Sequence, residues 1–279
     1  MRIAVIADAM SAGFTFPVWH RYYSSQFGAE NLFIITYAGA DQAFEQYPLR
    51  GLQRIEAAYS DDLRIVAVAD FISKLLDSYD AVVRVDVDEF LVADPQSGLT
   101  LRGFIETSRL RHITARGFDL IPSRDDAPID FSRPVLQQRK LAFALTAMNK
   151  TAITRDRLRW GRGFHYCSSP PALDGLILLH LKRIDFAFQR DWATKMMKGF
   201  SPDSFEAKYY RDDLSVAENF VRSRWSKPAS EGFESPERTA FDKAFLSAIR
   251  LNPSNALYEG PYDIDEQNVI LPNRFLGIF

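Results

Sequence analysis

Apolar residues along this chain fall into short β-branched runs separated by stretches with helical spacing, an alternation that predicts an α/β fold. The first run, Ile3-Ala4-Val5-Ile6-Ala7, stops at Asp8, and a loop carries the chain to Gly13. Phe16, Trp19, Tyr23 and Phe27 then recur at the interval of one buried helix face. Asn31 to Tyr37 reads as a second strand, closed by Ala38-Gly39-Ala40-Asp41. Strand, helix and strand in that order form a parallel pair with a right-handed crossover. Leu63 to Val68 is predicted as a third strand, Phe71 to Leu76 as a helix, and Val82 to Val85 as a central strand. Further on, the pattern predicts strands over 112–121, 142–153 and 173–181, and helices over 99–110, 186–199, 214–225 and 238–250. A polar loop occupies 122–134, a glycine- and aromatic-bearing connection 158–171, and an irregular tail starts at Asn252. The expected architecture is a Rossmann-like, mostly parallel sheet flanked by helices over 1–184, with 185–279 as a helical extension packed on the same domain.

The stretch Asp80 to Val92 holds the candidate chemistry. Valines 82, 83 and 85 suit a strand covered on both faces, and the run empties into Asp86-Val87-Asp88-Glu89. Ligands of open α/β sheets bind beyond the carboxyl ends of the strands. Asp86 and Asp88 point the same way if the strand persists, and two close carboxylates need a cation or another partner to stay ionised. An acidic turn that merely ends a strand is the plain alternative. Apolar sequence on both sides, Val82 to Val85 and Phe90 to Val92, favours a paired or metal-bound role, because acids in such surroundings are costly otherwise.

Composition narrows the classes. A chain of 279 residues, 47% hydrophobic, has material for one large core. A formal net charge of -2 gives no basic footprint for nucleic acid, so any phosphate contact is local. The single cysteine, Cys167, leaves no internal disulfide and fits a reducing compartment. The apolar opening is too short for a signal peptide, and no later run approaches the roughly 18 residues of a membrane span. The expectation is a cytoplasmic protein without a transmembrane segment, with peripheral membrane contact left open.

The segment Tyr79-Asp80-Ala81-Val82-Val83-Arg84-Val85-Asp86-Val87-Asp88-Glu89-Phe90-Leu91 resembles the strand and Asp-x-Asp-Glu-Phe element of the family 2-like and family 92-like glycosyltransferases, which use nucleotide sugars and have the A-type fold. Trp19-His20, Phe27-Gly28-Ala29, Lys150, Gly163-Phe164-His165, His180, Asp185-Phe186 and Lys195 match in order, so the resemblance covers about 1–198. Two pieces depart from it. Met10-Ser11-Ala12-Gly13 stands where those families carry Lys-Asn-Glu, and only Asp41 remains of an Asn-x-Ser-x-Asp element.

The resemblance implies a metal-dependent glycosyltransferase of polysaccharide biosynthesis, moving a sugar from a nucleotide-diphosphate sugar donor to a saccharide or glycoconjugate acceptor. Mn²⁺ or Mg²⁺ suits such oxygen ligands, and Mn²⁺ accepts an imidazole as well. Asp88 is then the principal metal ligand, Asp86 is shared between metal and donor, and His180 is the third ligand. Asp41 and Lys150 contact the donor, Lys150 offsetting diphosphate charge, as Lys195 would if it is not simply solvated. His165 is the candidate general base, since imidazole titrates near neutrality, and Asp174 is its rival. Trp160, Phe164 and Tyr166 form either a sugar-stacking platform or ordinary aromatic packing. The competing classes are a metal-dependent phosphohydrolase and a non-catalytic saccharide-binding protein of the same fold.

Overall fold

The computed structural model describes residues 1–40, 42–144, 146–198, 205–233, 236–261, 264 and 268–279. Its N-terminal half is built from β1 (Ile3–Asp8), α1 (Thr15–Phe27), β2 (Leu32–Tyr37), β3 (Gly51–Ile55), α2 (Asp61–Leu75) and β4 (Ala81–Arg84). These strands lie in the order β3-β2-β1-β4, every pair parallel. The chain moves outward from β1 to β3 and then returns to the other flank of β1 as β4. At such a reversal a crevice opens beyond the carboxyl ends of the two central strands. Here those ends deliver Asp8 and Asp86.

In this half the elements follow from the sequence with two exceptions. Phe16, Trp19, Tyr23 and Phe27 do form the buried face of α1. The stretch Leu63 to Val68 is part of α2, not a strand. Ser60 caps that helix, its hydroxyl accepting from the Leu63 N–H at 3.3 Å, and Asp61 and Asp62 complement the helix dipole in the first turn. Only Val68, Ile72 and Leu75 are buried, at helical spacing, while Val66 is exposed. The third strand is instead β3, a half-buried edge strand whose Gln53 and Arg54 hide it from a search for apolar runs.

The remainder comprises β5 (Glu89–Val92), α3 (Leu101–Thr107), β6 (His112–Ile121), α4 (Val135–Gln138), β7 (Leu141–Ala144), β8 (Lys150–Thr154), β9 (Leu173–His180), α5 (Phe186–Lys198), α6 (Phe205–Arg224), β10 (Ala229–Glu231), α7 (Pro236–Ala248), β11 (Arg250–Asn252), β12 (Leu257–Glu259) and β13 (Asn268–Ile270). Among the described residues the main sheet has 11 strands along the path β10-β13-β7-β6-β8-β4-β1-β2-β3, with β9 joining β6 in parallel and β5 pairing β9 antiparallel. The α/β class stands. Its parallel half brings Asp8 and Asp86 to the site, and antiparallel ladders, which carry Lys150 and His180, enter around β6.

The predicted strand over 142–153 is two strands, β7 and β8, separated by the turn Thr146–Met148. Gly117 of β6 permits that turn: a Cβ there would lie 2.4 Å from the Met148 carbonyl carbon, and its N–H donates to Asn149 Oδ1 at 2.8 Å. The tail is not irregular throughout either, because β13 pairs with β7, so the chain beyond residue 184 re-enters the same sheet. The polar 122–134 loop is tied down by buried Arg139, which donates to the carbonyls of Ala127 and Ile184, both at 2.8 Å. No helix among the described residues is long and apolar enough to cross a membrane.

Candidate active site

A cavity of about 610 Å³ opens at the carboxyl ends of β1 and β4, a size suited to a substrate or cofactor. The end of β1 and its loop supply Asp8 to Ser11, α2 supplies Asp61 and Arg64, and the segment after β4 supplies Asp86, Val87 and Asp88. Met148, Lys150, Gly163, His165, His180, Lys182 and Trp192 complete much of the wall.

One side of the wall belongs to a lattice of three cations and three carboxylates, in which Asp8, Arg64, Asp86 and Lys150 face the cavity and Arg84 and Glu89 are buried behind them. Arg64 grips Asp8 through Nε at 2.7 Å and Nη2 at 3.1 Å, and its Nη2 also donates to Asp86. Arg84 Nη2 donates to Asp86 at 2.6 Å and Asp8 at 3.3 Å. Lys150 Nζ reaches Asp86 Oδ2 at 3.3 Å and also pairs with fully buried Glu89. Glu89 Oε2 in turn accepts from the Asp86 N–H at 2.9 Å. Burial pushes the Asp86 carboxyl toward neutrality, but Arg64, Arg84 and Lys150 outweigh it and hold the pKa well below the usual carboxylate range.

Arg84 is 2% exposed, and its guanidinium stacks 3.6 Å above the ring of Phe164. Removing one partner from a buried ionic set leaves the others uncompensated, so Arg84→Met should cost about 3–5 kcal/mol of folding stability. Urea unfolding checks this, and a loss under about 1 kcal/mol, the level of an exposed pair, would contradict the lattice.

The other side of the wall is the pair Asp88 and His180. Antiparallel β5 and β9 register Glu89 against His180, and the Leu181 N–H donates to the Asp88 carbonyl at 2.9 Å, which brings His180 Nε2 to 3.3 Å from Asp88 Oδ2. His180 Nδ1 is hydrogen-bonded to Asp119 of β6. Burial works against a charged imidazole here, yet Asp88 and Asp119 outweigh it and hold the His180 pKa up at about 10.

Among the described residues, no three His, Cys, Asp or Glu side chains form a ready-made metal set. Asp86 does not fit the expected ligand role, because three cations already occupy its oxygens and would repel a divalent ion. Asp88 and His180 fit only with the imidazole deprotonated: a carboxylate oxygen and an imidazole nitrogen stand side by side on the cavity wall, and a divalent cation held there would displace the Nε2 proton that pairs the two in its absence. Hard divalent cations are commonly held by one or two such groups, with substrate phosphates and water completing the shell.

The remaining expected residues divide. His165 lines the same cavity, just beyond the turn Arg162–Phe164. Burial first, then the charges of Lys150, Arg84 and Arg64, hold its pKa well below the ordinary imidazole value. It is therefore neutral, the form that accepts a proton. Gly163, at φ +61°, makes room for it, since a Cβ there would lie 2.6 Å from His165 Cδ2. Asp174 is not placed to act as a base. It is exposed near the start of β9, accepting from the Ser108 hydroxyl at 2.9 Å, and lies six positions before His180, roughly 20 Å away at the usual strand rise. Asp41 lies outside the described residues. Trp160 and Phe164 are core residues, and Tyr166 donates to the Gly260 carbonyl at 2.8 Å, so they form no open platform. Lys195 pairs with Asp191 at 2.7 Å on the surface.

Four residues of the site escape the sequence reading. Arg84 was visible as a lone charge in a valine run, and Asp119 as an acid inside the apolar end of β6. Asp8 ends a strand as many aspartates do. Arg64 gave no signal while its segment read as a strand.

No family model matches this chain, and no curated protein matches it in sequence. Among solved structures it is similar to mannose-1-phosphate geranyltransferase from Thermus thermophilus, at 6% identity and a TM-score of 0.32, covering 97% of this chain and 74% of that one. It is also similar to S. aureus TarS 1-349, at 11% identity and a TM-score of 0.29, covering 79% and 74% of the two chains. With S. aureus TarS the figures are 12% identity, a TM-score of 0.29, and 81% and 44% coverage. Likeness this slight leaves the α/β class to rest on the sheet itself, and the chemistry to rest on the cavity.

Proposed function

We propose that this protein is a metal-dependent glycosyltransferase that moves a sugar from a nucleotide-diphosphate sugar to a hydroxyl of a saccharide or glycoconjugate acceptor. The observation that carries the reading is the position of Asp86-Val87-Asp88 at the strand-order reversal, with His180 beside Asp88 on the wall of a substrate-sized cavity. Asp88 and His180 would hold Mn²⁺ or Mg²⁺, and the bound cation supplies Lewis-acid neutralisation of the departing diphosphate. Asp86, fixed and ionised by Arg64, Arg84 and Lys150, is a rigid hydrogen-bond acceptor for donor hydroxyls. Neutral His165 takes the proton of the acceptor hydroxyl as that oxygen attacks the donor's anomeric carbon. Lys182, on the same wall, adds positive charge where a diphosphate would lie. Buried Cys167, a free thiol, suits a cytoplasmic setting in which nucleotide sugars are available.

The test is incubation with a panel of nucleotide sugars, Mn²⁺ and simple saccharide acceptors. Donor-selective release of nucleoside diphosphate supports transfer. Release of inorganic phosphate would make the protein a phosphohydrolase, and binding without turnover would make it a saccharide-binding protein.

A further inference from the structure

Asp119 lies in the middle of the sheet, 2% exposed, on a strand that supplies no residue to the cavity wall. Its register partner across the parallel β6–β9 ladder is His180, so the two side chains lie on the same face of neighbouring strands. One carboxylate oxygen takes the His180 Nδ1 hydrogen bond, and the other lies 3.4 Å from Arg183 Nε. The arrangement fixes the imidazole plane at both ends: Nδ1 is committed to a buried carboxylate, and Nε2 is turned toward Asp88. A carboxylate behind a histidine in this way fixes the tautomer, the ring orientation and the basicity of the nitrogen that faces a cation.

We infer that Asp119 is a positioning residue that presents His180 Nε2 to the divalent cation beside Asp88. The inference rests on the metal reading given under the proposed function. Asp119 does not line the cavity, so its effect on a metal bound there passes through His180. The Arg183 guanidinium forms an ion pair with the second oxygen.

The experiment is a double-mutant cycle on Mn²⁺ binding, with the metal alone as the probe and no nucleotide sugar present. Calorimetry would compare the wild type, Asp119→Asn, His180→Gln and the double variant, with near-UV circular dichroism confirming that each is folded. Asp119→Asn should weaken Mn²⁺ about 10–100-fold, the usual loss for an outer partner of a metal-bound histidine. The double variant should bind no more weakly than His180→Gln alone, because Asp119 has nothing to orient once the imidazole is gone. Pulsed electron paramagnetic resonance on bound Mn²⁺ should show an imidazole nitrogen coupling in the wild type that Asp119→Asn diminishes. If Asp119→Asn proves unfolded, Asp119→Glu takes its place in the cycle, and the nitrogen coupling should then be altered but present. Additive losses in the cycle, or wild-type affinity with an unchanged coupling in a folded Asp119 variant, would overturn the inference while leaving the metal site in place. Absence of Mn²⁺ binding in the wild type would overturn both together.

Discussion

Replacing His165 by Ala should lower turnover about 10²–10⁴-fold, the span for a lost acid–base group, while Mn²⁺ and donor affinity stay near wild type. The imidazole lines the same cavity as Asp88 and His180 but is carried by a separate connection, outside the β5–β9 pair that positions them, so its loss should fall on the acceptor step. The pH profile sharpens the expectation. A base acts only when unprotonated, and burial together with Lys150, Arg84 and Arg64 holds this imidazole well below its ordinary value. Activity should therefore persist as pH falls through about 6.5, the unperturbed imidazole value, and decline only at lower pH as His165 itself takes up a proton. The sequence alone placed that limb near neutrality; the buried cationic surroundings move it toward acid. Steady-state rates against pH check both parts. A folded His165→Ala variant with full turnover, or one rescued by excess Mn²⁺, would remove His165 from the reaction.

What could be read from the chain and what could not divide along a physical line. Local patterns were legible. The aromatic face of α1, the valines of β4 and the carboxylates after them each depend on residues a few positions apart, and apolar β9 with His180 at its end belongs with them. Partnerships set by sheet register were not. Asp119 meets His180 only because β6 and β9 run parallel in one register, across 61 residues of sequence that encode no local sign of it. Asp174 and His180 both lie on β9, and the sequence did not say which end faces the ligand edge; the parallel alignment with β6 decides it for His180. The misreading of Leu63 to Val68 has a similar cause. Leu63, Ile65, Val66 and Val68 satisfy strand preference, whereas Ser60, Asp61 and Asp62 ahead of them provide the cap that settles the helix. That helix turns Arg64 into the cavity. Once Arg64 and Arg84 are in place, Asp86 changes from an expected metal ligand into the centre of a cationic cage.

The reassignment makes Asp88 the residue on which the proposed chemistry turns. Asp88→Asn keeps the side chain's size and its place at the turn after β4, but removes the anionic oxygen that faces His180. Losing a direct ligand should cost more than the 10–100-fold of an outer partner, so metal-dependent donor affinity should vanish rather than weaken. Stability should fall less than in Arg84→Met, because the buried partner of Asp88, His180, keeps its other counter-charge at Asp119. Asp86→Asn should show the opposite balance, disturbing folding by leaving three buried cations short of a counter-charge, with a smaller effect on the metal alone.

The most direct measurement is calorimetric titration of nucleoside diphosphates into the wild type and Asp88→Asn, each with Mn²⁺ and with a chelator. At least one nucleoside diphosphate should bind the wild type only when Mn²⁺ is present, and Asp88→Asn should show no Mn²⁺-dependent binding while remaining folded. Equal binding with and without Mn²⁺, or unchanged Mn²⁺-dependent affinity in Asp88→Asn, would contradict the metal role of Asp88.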